Sequence, residues 1–221
     1  MSTRRLANGG LIDRSSPITF TWDGKKRAGY SGDTLASALI ANGDRVVGRS
    51  FKYHRPRGVM SAGVEESGAI VTVGAGSRTD PNVKATVQEL YDGLVARGQN
   101  AWPSVRFDLG SVSNLLGRFF AAGFYYKTFM GIPPLEWGSG TGMWMRYERI
   151  IRRAAGMGEA SRLPDPDHYE HAHAFCDVLV VGAGPAGIAA ARATAEAGLN
   201  VVLVEQDSLL GGTQLSTPSG G

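Results

Sequence analysis

The sequence predicts two architectures in succession, α+β and then α/β. Three observations predict this. Apolar and polar side chains alternate over Ile18–Trp22, ahead of the turn Asp23-Gly24 and a return strand at Lys25–Tyr30, and a short apolar helix pattern follows at Leu35–Ile40, which reads as a hairpin and then a helix. Residues 175–205 run apolar strand, glycine-rich turn, alanine-rich helix, apolar strand, the pattern of a β-α-β unit with parallel strands. Between the two, Leu163-Pro164-Asp165-Pro166-Asp167 reads as a stiff linker.

In chain order, residues 1–16 are polar, with Gly9-Gly10 and Ser15-Ser16, and are expected to form a tail. Ile18–Trp22 is a strand, Asp23-Gly24 a hairpin turn and Lys25–Tyr30 the return strand. Asp33 or Thr34 caps a helix whose buried stripe is Leu35, Ala38 and Leu39, and Asn42-Gly43 ends it. Val46-Val47 and Ala69–Val73 are further short strands. This order gives residues 17–80 a β-grasp arrangement, as in plant-type ferredoxins. In ferredoxin-like domains an Arg-Gly stretch is followed here by cysteines that hold a 2Fe–2S cluster. After Arg57-Gly58 this chain has Met60, Ser61, Ala62, Val64, Glu65 and Glu66, and no cysteine. Thiolates are the ligands such a cluster needs. The expectation is a ferredoxin-like domain without cluster cysteines, kept as structure; the plainer alternative is a small α+β domain with no ferredoxin kinship. Phe51–Arg57 mixes aromatics and cations and reads as a surface between domains or subunits, with direct cofactor contact as a lesser alternative.

Residues 81–174 are expected to form a helical connector. Val83, Val87, Leu90 and Leu94 lie near helical spacing over Val83–Ala96, and Gly98–Pro103 breaks the pattern. Asn114–Met130 is rich in aromatics, Ile132-Pro133-Pro134 is a breaker, and Trp144–Ala155 reads as a helix. His168, His171 and His173 lie near Asp165 and Asp167. No two of the histidines have the i, i+4 spacing of a helical pair, so hydrogen bonding and packing is the reading and no metal site is assigned.

Residues 175–221 read as the first β-α-β of a Rossmann-type dinucleotide-binding domain. The fingerprint is Gly182-Ala183-Gly184-Pro185-Ala186-Gly187, between the strand Val178–Val181 and the helix Ile188–Ala197. Gly182 lets the chain leave the strand in a tight turn. Gly184 lets the backbone approach a pyrophosphate, and Gly187 lets helix pack on strand. The unpaired N–H groups at the helix start attract phosphate. The second strand, Val201–Val204, ends on Glu205, eighteen residues after Gly187. A carboxylate there accepts hydrogen bonds from a ribose diol and repels a 2′-phosphate, which disfavours NADP. The fingerprint does not separate NAD from FAD, since both use it. The doublet Gly211-Gly212 before Thr213 reads as a loop near the pyrophosphate or as an ordinary flexible loop. Two parallel strands do not cover both faces of such a sheet, so the chain is expected to be a piece of a longer protein whose site is incomplete alone.

Charge is nearly balanced, 23 basic against 20 acidic residues, and no nucleic-acid motif accompanies the local basic excesses at Arg45–Arg57 and Arg146–Arg153. The single cysteine, Cys176, excludes a disulfide framework or a cysteine-held cluster within the chain. The N-terminus lacks the apolar core of a signal peptide. Leu115–Met130 is interrupted by Arg118 and Lys127, so no run is apolar enough to cross a membrane. The expectation is a cytoplasmic protein that engages neither membrane nor nucleic acid.

Several longer blocks carry a resemblance. Ser50–Gly58 (SFKYHRPRG), Glu89–Arg97 (ELYDGLVAR), Gln99–Ser104 (QNAWPS), Ala122–Met130 (AGFYYKTFM), Ile151–Gly156 (IRRAAG) and Cys176–Gly187 resemble the alpha subunits of heterotetrameric sarcosine oxidases. The resemblance implies an alpha subunit that opens with a ferredoxin-like domain lacking its cluster, then a dinucleotide domain carrying NAD, then a tetrahydrofolate-binding part. It implies FAD in a beta subunit, FMN between alpha and beta, and gamma and delta subunits, with zinc in delta. The implied reaction takes sarcosine to glycine with hydrogen peroxide and 5,10-methylenetetrahydrofolate, or formaldehyde without folate. Carried over to this sequence, the NAD contacts are Gly182, Gly184, Ala186 and Gly187 on the turn, Glu205 on the adenosine ribose with Gln206 beside it, and Thr213 at the phosphates or adenosine. No catalytic residue is assigned. Two alternatives stand beside this one: a subunit of a related opine or amine flavoprotein dehydrogenase, some of which keep cluster cysteines, and a non-catalytic assembly module.

Overall fold

A computed structural model describes residues 4–51, 53–115, 148, 152 and 156–216. They divide into two compact units. The first holds the chain up to Met60 together with Glu66–Asp165; the second holds Ser61–Glu65 and the chain from Pro166 on. The first is α+β and the second α/β.

The first unit is built on a mixed five-stranded sheet. Strand β1 (Asp13–Trp22) turns through Asp23-Gly24 into β2 (Lys25–Ser31). Asp23 at φ 45° and Gly24 at φ 75° are both left-handed, as a two-residue hairpin matched to strand twist requires. Alternation along β1 puts Phe20 and Trp22 into the core. Helix α1 (Leu35–Asn42) starts at Thr34, whose hydroxyl accepts the Ser37 N–H at 3.2 Å while the Thr34 N–H donates to the Ser37 hydroxyl at 3.0 Å. This is a reciprocal capping box. Gly43, at φ 83°, ends the helix, and its N–H reaches the Ile40 carbonyl. The stripe read from the sequence, Leu35, Ala38 and Leu39, is fully buried.

A small antiparallel pair, β3 (Gly48–Arg49) with β4 (Pro56–Arg57), precedes β5 (Ile70–Val73), β6 (Asp80–Lys84) and β7 (Val95–Gly98). Spatial order in the main sheet is β2-β1-β7-β5-β6. β7 pairs parallel to β1 in the register Thr21↔Val95 and antiparallel to β5 in the register Thr72↔Arg97. The core joins α1 to Phe20, Trp22, Val71, Leu90, Leu94 and Ala96.

Several expectations differ from these elements. The tail expected over 1–16 gives way to strand at Asp13, because a bulge between Asp13 and Pro17 lets β1 continue to pair with β2. The strand expected at Val46-Val47 lies two residues later, as β3. The helix expected over Val83–Ala96, and with it a boundary at residue 80, gives way to β6 and β7, which complete the same sheet. Leu90 and Leu94 are buried in the core as expected of a stripe, but Gly93 at φ 81° turns the chain between them, which a helix does not permit. The aromatic stretch Asn114–Met130 and the helix expected over Trp144–Ala155 lie almost wholly outside the described residues.

In the second unit β8 (Val178–Val181) runs into helix α2 (Pro185–Glu196) and back to β9 (Val201–Val204). The strands pair parallel, Val178↔Val201 through Val181↔Val204. The helix begins three residues before the expected Ile188, because Pro185 is preset for a first helical position.

Candidate dinucleotide site

The site grows from the end of β8. The Gly182 N–H donates to the Val204 carbonyl at 2.8 Å, and at φ 93° Gly182 then takes the chain out of the strand. Gly184 is the N-cap of α2, and its carbonyl accepts the first helical bond from the Ile188 N–H at 3.0 Å. Ahead of that bond the N–H groups of Ala186 and Gly187 have no partner within the helix, and Pro185 has none to offer. The positive end of α2 therefore opens on this turn.

The three glycines do separate things. A Cβ on Gly187 would collide with the Gly182 carbonyl oxygen, so this position is what lets α2 lie against β8. A Cβ on Gly182 or Gly184 would meet nothing within 4 Å. Space remains there, beside helical N–H donors, and it fits the diphosphate of a dinucleotide.

Glu205 sits where the sequence put it, at the carboxyl end of β9, next to the turn. Its Oε2 accepts the Ala183 N–H at 2.5 Å, and its Oε1 accepts the N–H groups of Gln206 at 2.7 Å and Asp207 at 3.1 Å. These bonds, Ala183 first, hold its pKa below the ordinary 4.5. A carboxylate offers about four acceptor positions, so room is left for a ribose hydroxyl. The doublet lies against the same turn. Gly211 donates its N–H to the Ala183 carbonyl at 2.8 Å, and a Cβ on Gly212 would stand 3.1 Å from the Gly184 Cα.

Of the residues read from the sequence, the fold gathers Gly182, Gly184, Ala186, Gly187 and Glu205 at one strand end. Gln206 contributes its main chain to Glu205, and Thr213 stands in the short helical turn Gly212–Ser216 that follows the doublet. Ala183 was missed. It is fully buried, and its N–H and carbonyl tie Glu205 and Gly211 to the turn. Both groups are main chain, so no residue type signals them. His168, His171 and His173 are exposed, and among the described residues no three His, Cys, Asp or Glu side chains are grouped to hold a metal ion. Among those residues no helix is long and apolar enough to cross a membrane. The arrangement can bind and orient an anionic, ribose-bearing ligand.

Two family models match the chain. Residues 15–101 match a 2Fe-2S iron-sulfur cluster binding domain, and residues 177–220 match an FAD dependent oxidoreductase. Similar proteins include the sarcosine oxidase subunit alpha of Rhizobium meliloti (strain 1021), 56% identical over 98% of this chain and 21% of the relative. The sarcosine oxidase subunits alpha of Corynebacterium sp. strains U-96 and P-1 are 35% and 33% identical over 93% and 91% of this chain, and 16% of each relative. The chain spans between 16% and 21% of the length of these curated relatives. The resemblance read from the sequence blocks is thus shown over nearly the whole chain.

Proposed function

We propose that this chain, kin to the sarcosine oxidase alpha subunits in sequence, is the amino-terminal part of such a subunit in a heterotetramer and contributes its NAD-binding turn. The observation that carries the proposal is the Gly182–Gly187 turn with Glu205 fixed beside it. In this assignment NAD lies with its diphosphate at Gly182, Gly184, Ala186 and Gly187, its adenosine ribose on Glu205 with Gln206 beside it, and Thr213 at the phosphates or adenosine. It is a bound, structural cofactor. The assembled enzyme oxidises sarcosine to glycine with hydrogen peroxide and 5,10-methylenetetrahydrofolate, or formaldehyde without folate. The beta, gamma and delta subunits are the partners, FAD and FMN serve the oxidation, zinc belongs to delta, and the complex is cytoplasmic. The first unit is a β-grasp scaffold, a reading supported by the strand order β2-β1-β7-β5-β6 with α1 against the sheet.

FAD at the same turn is the second reading, favoured by the match of residues 177–220 to an FAD dependent oxidoreductase. It goes with a flavoprotein dehydrogenase subunit of the opine or amine type. The deciding experiment is to co-express the full reading frame with its neighbouring subunits, purify the complex and release its cofactors in acid. NAD, FAD and FMN together, with peroxide formed on sarcosine, is the expected result. FAD without NAD overturns the NAD assignment in favour of flavin at Gly182–Glu205. A stable chain with no nucleotide leaves an assembly module.

A further inference from the structure

We infer that the carboxylate of Glu66 stands in this chain where the matched domain would hold its iron–sulfur cluster. Plant-type clusters are held by thiolates spaced C-x4-C-x2-C with a further cysteine downstream. The sole cysteine, Cys176, lies outside the matched residues 15–101. With the middle position of that frame at Glu66, the outer two fall on Ser61 and Ala69, just after Arg57-Gly58. Ala69 has no ligating atom. The residues present do not fit the cluster.

The main chain around Glu66 nevertheless keeps the form of an anion site. Glu66 is 1% exposed. Its Oε2 accepts the Met60 N–H at 2.7 Å, and its Oε1 accepts the N–H groups of Ala69, at 3.0 Å, and of Gly68. Converging main-chain N–H groups make a concavity that favours negative charge. In a cluster-bearing loop that charge sits on sulfurs, which hydrogen bonds stabilise. Here the loop supplies it from its own side chain. A buried carboxylate is costly unless its oxygens are satisfied, and three charge-assisted bonds satisfy them.

Gly68 closes over the group. A Cβ there would stand 2.7 Å from the Gly58 carbonyl oxygen and 3.1 Å from Glu66 Oε1. The position of Ala69 then sets the start of β5, because its carbonyl accepts the Ala85 N–H at 2.9 Å and Ile70 follows. The carboxylate therefore does the organising work of a cluster without a metal.

The test is chemical rescue in the full chain. Glu66→Gln keeps the size and removes the charge; Glu66→Ala vacates the concavity. In Glu66→Gln the Gly68 and Ala69 amides are expected to exchange about tenfold faster or more, with β1 amides unchanged. In Glu66→Ala the melting temperature is expected to fall by about 5 °C or more and to recover with added formate but not with chloride at equal ionic strength. If Glu66→Ala does not fold, the exchange measurement on Glu66→Gln decides. Unchanged exchange in Glu66→Gln, or equal recovery of Glu66→Ala by chloride, would overturn the inference. So would a cluster absorption spectrum in the unsubstituted chain after anaerobic incubation with ferrous iron and sulfide.

Discussion

Gly184 and Gly187 stand three residues apart on one turn and answer to different demands. A Cβ at Gly187 runs into the Gly182 carbonyl oxygen, whereas one at Gly184 enters open space. Gly187→Ala is therefore expected to push α2 off β8 at a cost of about 1–3 kcal/mol, with helix signal and nucleotide affinity lost together. Gly184→Ala is expected to keep the circular dichroism of the chain and lose the dinucleotide. Affinity retained in Gly184→Ala would remove that residue from the site. Glu205 adds a pH dependence. Its folded pKa is lowered by the N–H groups of Ala183, Asp207 and Gln206. Its contribution to the turn is thus complete above the ordinary 4.5 and is lost as pH falls through the lower folded value. Chemical shifts of the Ala183 amide followed from neutral to acid are expected to move only below that ordinary value, and Glu205→Gln to abolish the movement. The residue type and spacing of Glu205 were legible in the sequence. Its three bonds were not, because they come from main-chain groups that every residue carries.

Among the elements, the hairpin and α1 were legible because each has local chemistry: Asp23-Gly24 for the turn, Thr34 and Gly43 for the helix ends. The helix read over Val83–Ala96 failed because Val83 on β6 and Leu90 and Leu94 in the connection to β7 serve one core, and apolar spacing alone does not tell that from a helical stripe. Asp92-Gly93 was the overlooked signal, and Pro81, read with Asp80 as the start of a turn, was the misread one. The first is a turn pair, and the second suits an edge strand, which β6 is. The segment before β1 was read as a tail, and within it Arg5 makes a two-pronged ion pair with Asp33 and lies 5.3 Å from the Tyr30 ring. Asp33, 1% exposed, also accepts from the Tyr30 N–H and the Ser37 hydroxyl. Removing one partner of a buried pair strands the other charge. Arg5→Ala is expected to destabilise the first unit by about 3 kcal/mol in urea unfolding. Thr34→Ala, which removes one arm of the capping box, is expected to cost about 1 kcal/mol. Equal effects of the two would mean that Arg5 acts as a surface residue.

At the scale of the whole chain the two units differ in how far their sheets are covered. In the first, Phe20, Leu39, Val71 and Leu94 are at most 1% exposed, and a five-stranded sheet with a helix against it is enough to stand alone. In the second, Leu179 on β8 is 58% exposed and Val181 78%. Parallel strands belong to sheets covered on both faces, so two of them with one helix bury too little apolar surface for much stability. The fingerprint is legible because it is local; the cover such a sheet needs is not, because it depends on elements far away in sequence. Hydrogen exchange on the 221-residue chain is expected to separate the units, with amides of β8 and β9 exchanging at least about a hundredfold faster than those of β1, β5 and β7. Its affinity for NAD or FAD is expected to be weaker than about 1 μM, since a turn that opens often spends part of its binding energy on closing. Equal protection in both units, with micromolar or tighter binding, would mean that the turn is a complete site as it stands. Slow exchange restored to β8 and β9 only in a longer chain would, under the proposed function, place that cover outside these 221 residues.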